Sequence, residues 1–216
     1  MGEASMKRAL IVDDHAVVRN GLKKILEEQP GEIEFGEAST AHEAIELVRE
    51  QAWDIVILDI SLGGGRNGLE ALKVLKQIRP RLRVLILTMH SEEQYARRSF
   101  RSGAAGYITK DSPRAELVLA VNKVIAGGKY VSPSLAEKLV TYIERDTDQP
   151  PHETLSDREF QVMRLIASGK TVSEIAELLS LSDKTISTYR ARILEKMGMK
   201  TSAELTHYAI RNELVD

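Results

Sequence analysis

The residues best suited to chemistry stand at the ends of short apolar runs. Asp13 and Asp14 follow Ala9-Leu10-Ile11-Val12 directly, and Asp59 follows Ile55-Val56-Ile57-Leu58. Thr88 follows Val84-Leu85-Ile86-Leu87, and Lys110 stands just past Gly106-Tyr107-Ile108. Three carboxylates brought to one place repel unless a cation neutralises them. Oxygen donors in a chain without cysteine suit Mg2+. A metal together with the Lys110 ammonium would balance a carboxylate nucleophile and the charge on an incoming phosphoryl group. The Thr88 hydroxyl could then bond a phosphoryl oxygen. The plainer reading is that acids and hydroxyls after strands cap the next helix. It accounts for any one of these residues, but not for all of them at matching strand ends.

For these residues to meet, the runs that carry them must be neighbouring strands. The apolar stretches are short and continuous, as in strands buried on both faces. Between them lie amphipathic patterns: Val18, Leu22, Ile25 and Leu26 share one helical face, as do Leu117, Val121, Val124 and Ile125. Ala41, Ala44, Ile45 and Val48 form a similar stripe, and residues 33–38 and 106–108 complete an alternation of strands and helices. Such an alternation predicts a parallel sheet with helices on both faces, whose ligands sit beyond the carboxyl ends of the strands.

The segments LIVDDH, DIVILDIS, VLILT and AAGYITKD, in this order and spacing, resemble the response-regulator receiver domain over residues 7–126. The resemblance implies a flavodoxin-like, doubly wound five-stranded sheet. It also implies roles: Asp59 as phospho-acceptor, Asp14 with Asp13 as Mg2+ ligands joined by Asp59 and the main-chain carbonyl of Ser61, and Lys110 as the phosphate-pairing lysine. Thr88 becomes the switch hydroxyl and Tyr107 the switch aromatic, although a strand aromatic read by itself would simply pack in the core. One segment departs from the family. Gly63 stands where a proline is expected, and Gly63-Gly64-Gly65 makes a permissive loop, one residue longer than usual, before Gly68.

Past Ala126 the pattern changes. Residues 127–153 read as a linker, partly helical near Leu135 to Ile143 and polar around Pro150-Pro151. From residue 154 to 216 only helices are expected. Ser156 and Glu159 form a capping box, and further helices cover Val172 to Leu179, Asp183 to Met197 and Ser202 to about Asn212. The short Ser180-Leu181-Ser182 connection gives the second and third of these the proportions of a helix-turn-helix. On the third, Ile186, Ile193 and Met197 share an apolar face. Lys184, Ser187, Thr188 and Ala191 lie opposite, small enough to approach base edges in a major groove. Arg190, Arg192 and Lys196 flank that face and could reach phosphates. An ordinary solvated surface helix would show similar charge.

The stretch from LSDREF to ILEKM resembles the LuxR-type DNA-binding domain, so the whole chain is similar to the NarL/FixJ-type response regulators. That implies a sensor histidine kinase as phosphodonor, double-stranded DNA bound as a homodimer at paired half-sites, Ser187, Thr188 and Ala191 toward bases, and Lys184, Thr185, Arg190 and Arg192 toward the backbone.

Composition fits this division. The 216 residues exceed one typical domain, and 43% hydrophobic content supplies packed cores. A formal net charge of -2 means that any nucleic-acid surface must be local. The absence of cysteine fits a reducing compartment, and no apolar run is long enough to span a membrane, so a cytoplasmic protein with no membrane partner is expected. Residues 1–5 carry no weight in this reading. Two other functions compete. A Mg2+-dependent phosphohydrolase can use an aspartyl nucleophile, but it usually has a general acid two positions later, where this chain has Ser61, and no substrate-binding cap is evident. The chain is therefore not expected to be an enzyme. A regulator that binds only proteins is opposed by the basic flank of the third C-terminal helix.

Overall fold

The computed structural model describes residues 6–62, 68–89, 93–144 and 150–215, with the backbone alone at 141–144. The Gly63-Gly64-Gly65 loop and residues 145–149 of the expected linker lie outside the described residues. The chain divides between Glu144 and Arg145 into two compact units.

The first unit alternates strands and helices as expected. It runs β1 (Lys7–Val12), α1 (Ala16–Glu27), β2 (Ile33–Ala38), α2 (Ala41–Glu50), β3 (Ile55–Leu58), α3 (Gly68–Ile78), β4 (Val84–Thr88), α4 (Glu93–Arg101), β5 (Gly106–Thr109), α5 (Arg114–Ile125) and α6 (Pro133–Glu144). The five strands form one sheet in the order β2-β1-β3-β4-β5, every neighbouring pair parallel. The order reverses between β1 and β3, the point at which connections leave toward opposite faces and a crevice opens beyond the strand ends.

Strand periodicity decides what each face buries. Ala9, Ile11, Ile55, Ile57, Leu85, Leu87 and Ile108 point to one face, where Leu22 and Leu26 of α1 and Leu117, Val121 and Val124 of α5 cover them. Leu10, Val56, Leu58 and Ile86 alternate with these and are also fully buried. α2 packs on β1 and β2, α3 against α2, and α4 against α3 and β5. With both faces covered, the strands can be apolar throughout, which is why their sequence shows runs rather than alternation.

Residues 127–144 belong to this unit rather than to a free linker. After α5, Gly127 takes φ +88 and turns the chain back along the sheet. Tyr130 then pairs with Gly106 in a parallel bridge, its N–H donating to Ala105 O (2.9 Å) and its carbonyl accepting from Tyr107 N–H (3.0 Å). These bonds cover the open edge of β5. Its phenol donates to Glu116 Oε1 at 2.9 Å, and burial, reinforced by that carboxylate, pushes the Tyr130 pKa up to about 12. α6 follows and packs beside α4.

The second unit is helical: a 3-10 turn (Pro151–Thr154), then α7 (Asp157–Ala167), α8 (Val172–Leu178), α9 (Asp183–Met197) and α10 (Ser202–Arg211). Each start is set by a side chain that accepts a backbone N–H: Ser156 from Glu159, Thr171 from Glu174, Ser182 from Thr185 and Thr201 from Glu204. Each such cap is worth about 1 kcal/mol. Gly198 ends α9 in the left-handed conformation, φ +65. Phe160, Val162, Met163, Ile175, Ile186, Ile193 and Leu205 are buried together as its core. Among the described residues no helix is long and apolar enough to cross a membrane.

The edge strand β2 holds a tight contact that can be tested. A Cβ on Gly36 would stand 2.2 Å from Trp53 Cη2, and the indole is fixed by a 3.1 Å bond from its N–H to Leu47 O. Gly36→Ala should therefore destabilise the protein by about 1–3 kcal/mol in urea denaturation. Emission of Trp53, the single tryptophan of the chain, should shift with it. Wild-type stability and emission would mean the indole is free to move.

Candidate functional site

The backbone ladder of the sheet continues past the strands and sets the site residues side by side. The N–H of Asp13 donates to Ala38 O at 3.1 Å, that of Asp59 to Val12 O at 2.9 Å, and that of Lys110 to Thr88 O at 2.8 Å. Asp13, Asp59 and Thr88 are buried, at 1%, 2% and 0% exposure. Gly68 is fixed by the same packing: its N–H donates to Ile60 O at 2.9 Å, and a Cβ there would fall 2.0 Å from Asp59 O. α3 thus starts against the Asp59 backbone, and only glycine allows the approach.

Lys110 is the hub. Its Nζ lies 2.6 Å from Asp13 Oδ2 and 2.7 Å from Asp59 Oδ2. The Asp59 contact is a directed hydrogen bond, whereas the buried Asp13 Oδ2 forms a close ion pair but accepts no hydrogen bond. Burial alone would depress the lysine, but its contacts with Asp13 and Asp59 more than reverse this and raise its pKa. For Asp59, burial dominates and raises the carboxyl above its ordinary value. Lys110 and the Ser61 N–H, which donates to Oδ1 at 3.1 Å, pull the other way, and the nearby Asp13 charge adds to the rise.

Asp14 is more exposed. His15 Nδ1 stands 2.7 Å from Asp14 Oδ1 and 3.2 Å from Asp13 Oδ1, and the His15 N–H donates to Asp13 Oδ1 at 2.8 Å. One ligand atom from each of Asp13, Asp14 and His15 falls within 4.8 Å of the others. Anionic oxygens converging beside a buried carboxylate oxygen without a hydrogen bond suit a hard divalent cation. Receiver domains generally bind Mg2+ at such an acidic site.

Of the residues singled out from sequence, Asp13, Asp59 and Lys110 are in direct contact, and Thr88 is joined to Lys110 through the backbone. Ser61 enters through its N–H. Tyr107 is buried in β5 and lines, with Ser112, Glu116, Ser132, Leu135 and Lys138, a cavity of about 200 Å³ beside the start of α6. Sequence reading passed over His15 and Arg19. Arg19 donates from Nη1 to Asp13 O at 2.7 Å, and its place on α1, one turn past the acidic pair, was the available signal.

In the second unit α9 is oriented by its buried Ile186, Ile193 and Met197. Ser173 Oγ binds Asp183 Oδ2 at 2.6 Å and ties α8 to the start of α9, while Arg158 Nη2 donates to Leu179 O at 3.3 Å and steadies the turn between them. Lys184, Ser187, Thr188, Arg190, Ala191 and Arg192 are exposed, and Thr185 is half-buried. Thr188 Oγ1 donates to Lys184 O at 2.9 Å. Lys196 has a partner within the fold. Its Nζ lies 2.6 Å from Glu159 Oε2, a buried carboxylate of the Ser156 capping box. Burial pushes Glu159 up, but Lys196 and the Ser156 bonds outweigh it and leave the carboxyl below its ordinary value. Lys196 thus pairs inside the fold while its side chain stays 42% exposed.

Comparison with known proteins matches both units. Residues 9–122 match the response regulator receiver domain, and residues 153–209 match the bacterial regulatory proteins of the luxR family. The response regulator UvrY of Escherichia coli K12 is 37% identical over 97% of this chain and 96% of its own length. A LuxR-family two-component response regulator from Aurantimonas sp. SI85-9A1 is 40% identical and superimposes with a TM-score of 0.60, over 64% of this chain and 98% of that one. The response regulator RcsB, in a structure of its DNA complex, is 26% identical with a TM-score of 0.60, over 94% of this chain and 98% of that one. The chain belongs to the two-component response regulators of the NarL/FixJ type, in which a receiver domain precedes a LuxR-type helix-turn-helix DNA-binding domain.

Proposed function

We propose that a sensor histidine kinase phosphorylates Asp59 and that this event controls DNA binding by α9. The observation that carries the reading is the buried Asp13–Lys110–Asp59 cluster at neighbouring strand ends. A carboxylate oxygen of Asp59 attacks phosphorus, the bond from phosphorus to the kinase imidazole breaks, and an acyl phosphate remains on Asp59. Lys110 stands where it can pair with the added charge. Asp13, Asp14, Asp59 and the Ser61 carbonyl would hold Mg2+, which supplies charge neutralisation for the transfer. With Ser61 two positions after Asp59, no carboxylic acid stands where a phosphohydrolase carries one. We therefore read the chain as a regulator whose only phosphoryl acceptor is itself, not as an enzyme acting on an external substrate.

Thr88, buried at the end of β4, is the group that can bond the new phosphoryl oxygen, with Tyr107 adjusting behind it beside its cavity. The output is DNA binding as a homodimer on paired half-sites in the cytoplasm, with no membrane partner. Ser187, Thr188 and Ala191 face bases; Lys184, Thr185, Arg190 and Arg192 face the backbone. Lys196 flanks the same face toward phosphates, its Nζ also pairing with Glu159 within the fold. The domains are assigned as receiver 7–126, an intervening 127–153 and DNA-binding 154–216, with 127–144 acting as an extension of the receiver.

With a small-molecule phosphodonor and Mg2+, one acid-stable, base-labile phosphoryl group should appear on the full-length chain and be lost in Asp59→Asn, since an amide is not a usable nucleophile. Undiminished labelling of that variant would remove Asp59 from its role.

Phosphorylation should tighten DNA binding about 5–150-fold, a coupling on the order of 1–3 kcal/mol. Thr88→Ala should still accept the phosphoryl group yet show no such gain in fluorescence anisotropy. A full gain in Thr88→Ala would mean that the signal leaves Asp59 by another route.

Arg192→Ala should weaken binding to all sequences and flatten its salt dependence, whereas Thr188→Ala should change the preferred sequence. Selection from random duplexes distinguishes these effects. An unchanged consensus with Thr188→Ala would place that face outside the groove.

A further inference from the structure

We propose that Arg19, itself held by Glu37, is a positioning residue for the metal-binding acidic pair: it fixes the peptide joining Asp13 to Asp14 and so sets where the Asp14 carboxylate points. This rests on the reading of Asp13 and Asp14 as Mg2+ ligands.

Asp13 is gripped at three atoms besides the Oδ2 that pairs with Lys110. Its N–H donates to Ala38 O at the end of β2 (3.1 Å), and its Oδ1 accepts the His15 N–H (2.8 Å). Its carbonyl accepts from Arg19 Nη1 of α1 at 2.7 Å. That last bond holds the plane of the 13–14 peptide. α1 begins at Ala16, and the bonds of His15 within the 13–15 segment go to the Asp13 and Asp14 side chains, whereas the Arg19 bond is made to the peptide itself. Rotation of one peptide would swing the Asp14 side chain away from Asp13.

Arg19 is suited to this task and is not a free surface cation. Its side chain is 16% exposed, and its Nε donates to Glu37 Oε2 at 3.0 Å while Nη1 reaches the Asp13 carbonyl. The guanidinium can serve both partners at once because its donors are fixed in one plane, which an ammonium cannot reproduce. Glu37 lies on β2 one residue before Ala38, so a single strand end anchors both the Asp13 N–H and, through Arg19, the Asp13 carbonyl. Lys23 Nζ also pairs with Glu37. The side-chain bonds from Lys23 and Arg19 hold the Glu37 carboxyl below its ordinary value. The relay Glu37–Arg19–Asp13 therefore runs from an edge strand through a helix to the main chain of the acidic pair. Residues that orient ligands from such positions typically change metal affinity about 10–100-fold when removed.

The test is a Mg2+ titration of the unphosphorylated full-length protein by isothermal calorimetry, beside the Mg2+ dependence of Asp59 labelling. Arg19→Ala, Arg19→Lys and Glu37→Gln are compared with Asp14→Ala. Arg19→Ala should weaken Mg2+ binding about tenfold, the lower end of what outer partners contribute. Its labelling rate at saturating Mg2+ should stay at the wild-type level, because no group at Asp59 or Lys110 has changed. Arg19→Lys should fall between, since an ammonium keeps the charge but lacks the planar, separated donors that fit both acceptors. Glu37→Gln keeps an acceptor for Arg19 and should shift Mg2+ binding less, in the same direction. It also carries the test if Arg19→Ala fails to fold. Wild-type Mg2+ affinity in the Arg19 and Glu37 variants, with loss in Asp14→Ala, would overturn the inference and leave the metal reading intact. A fall in maximal rate and thermal stability without a shift in Mg2+ dependence would also overturn it, as the mark of a merely structural bond. Unchanged affinity in Asp14→Ala would bring down both.

Discussion

Two carboxylates, Asp13 and Asp59, are buried at the carboxyl edge of a parallel sheet with one ammonium between them. Removing a charge from water is costly, and only a well-placed partner recovers the loss. Lys110 is that partner for both acids, and it can be so because β1, β3 and β5 end on the same side of one sheet. The rest of the receiver unit maintains this arrangement. The covered faces keep the strands parallel, the ladder bonds at 2.8–3.1 Å set the register of the site residues, and Gly68 lets α3 begin against the Asp59 backbone.

The same arrangement prepares a switch. Burial raises the Asp59 carboxyl, so the ionised form needs cationic support at the moment it attacks. Lys110, with a raised pKa, remains protonated across the physiological range. Adding a phosphoryl group places new negative charge where the cation already stands, and the buried Thr88 hydroxyl and Tyr107 ring lie on the strands beside it. Residues 127–144 give such a change a second place to register, because Tyr130 is bonded to the β5 edge and α6 starts at the cavity that Tyr107 lines.

Much of this was legible in the sequence, and the reasons differ by element. Runs such as Ile55-Val56-Ile57-Leu58 announce strands buried on both faces, and the acids that follow β1 and β3 mark the candidate site, because ligands of parallel sheets sit beyond the carboxyl ends of the strands. The Ser156 capping box made the first C-terminal helix readable, and the structure shows Thr171, Ser182 and Thr201 as caps of the helices that follow. Long side chains were not readable in this way, because sequence spacing does not say where they end. Lys196 has the charge and the helical position of a phosphate contact, yet it reaches a buried glutamate thirty-seven residues away. Arg19 drew no notice in the sequence, yet it bonds the backbone of the acidic pair. Within the stretch read as a partly helical linker, Tyr130 docks on the sheet edge through backbone bonds that no side-chain pattern encodes.

The account depends most on Lys110 serving as the shared counter-charge of buried acids, and a double-mutant cycle measures that directly. Stability in urea, without divalent metal, is compared for wild type, Lys110→Met, Asp59→Asn and the double variant. Lys110→Met alone should cost about 3–5 kcal/mol, the penalty of stranding buried charge. In the Asp59→Asn background it should cost clearly less, because one of the two stranded carboxylates is gone. Costs that add within about 0.5 kcal/mol would mean that Lys110 and Asp59 do not depend on each other, and would contradict the account.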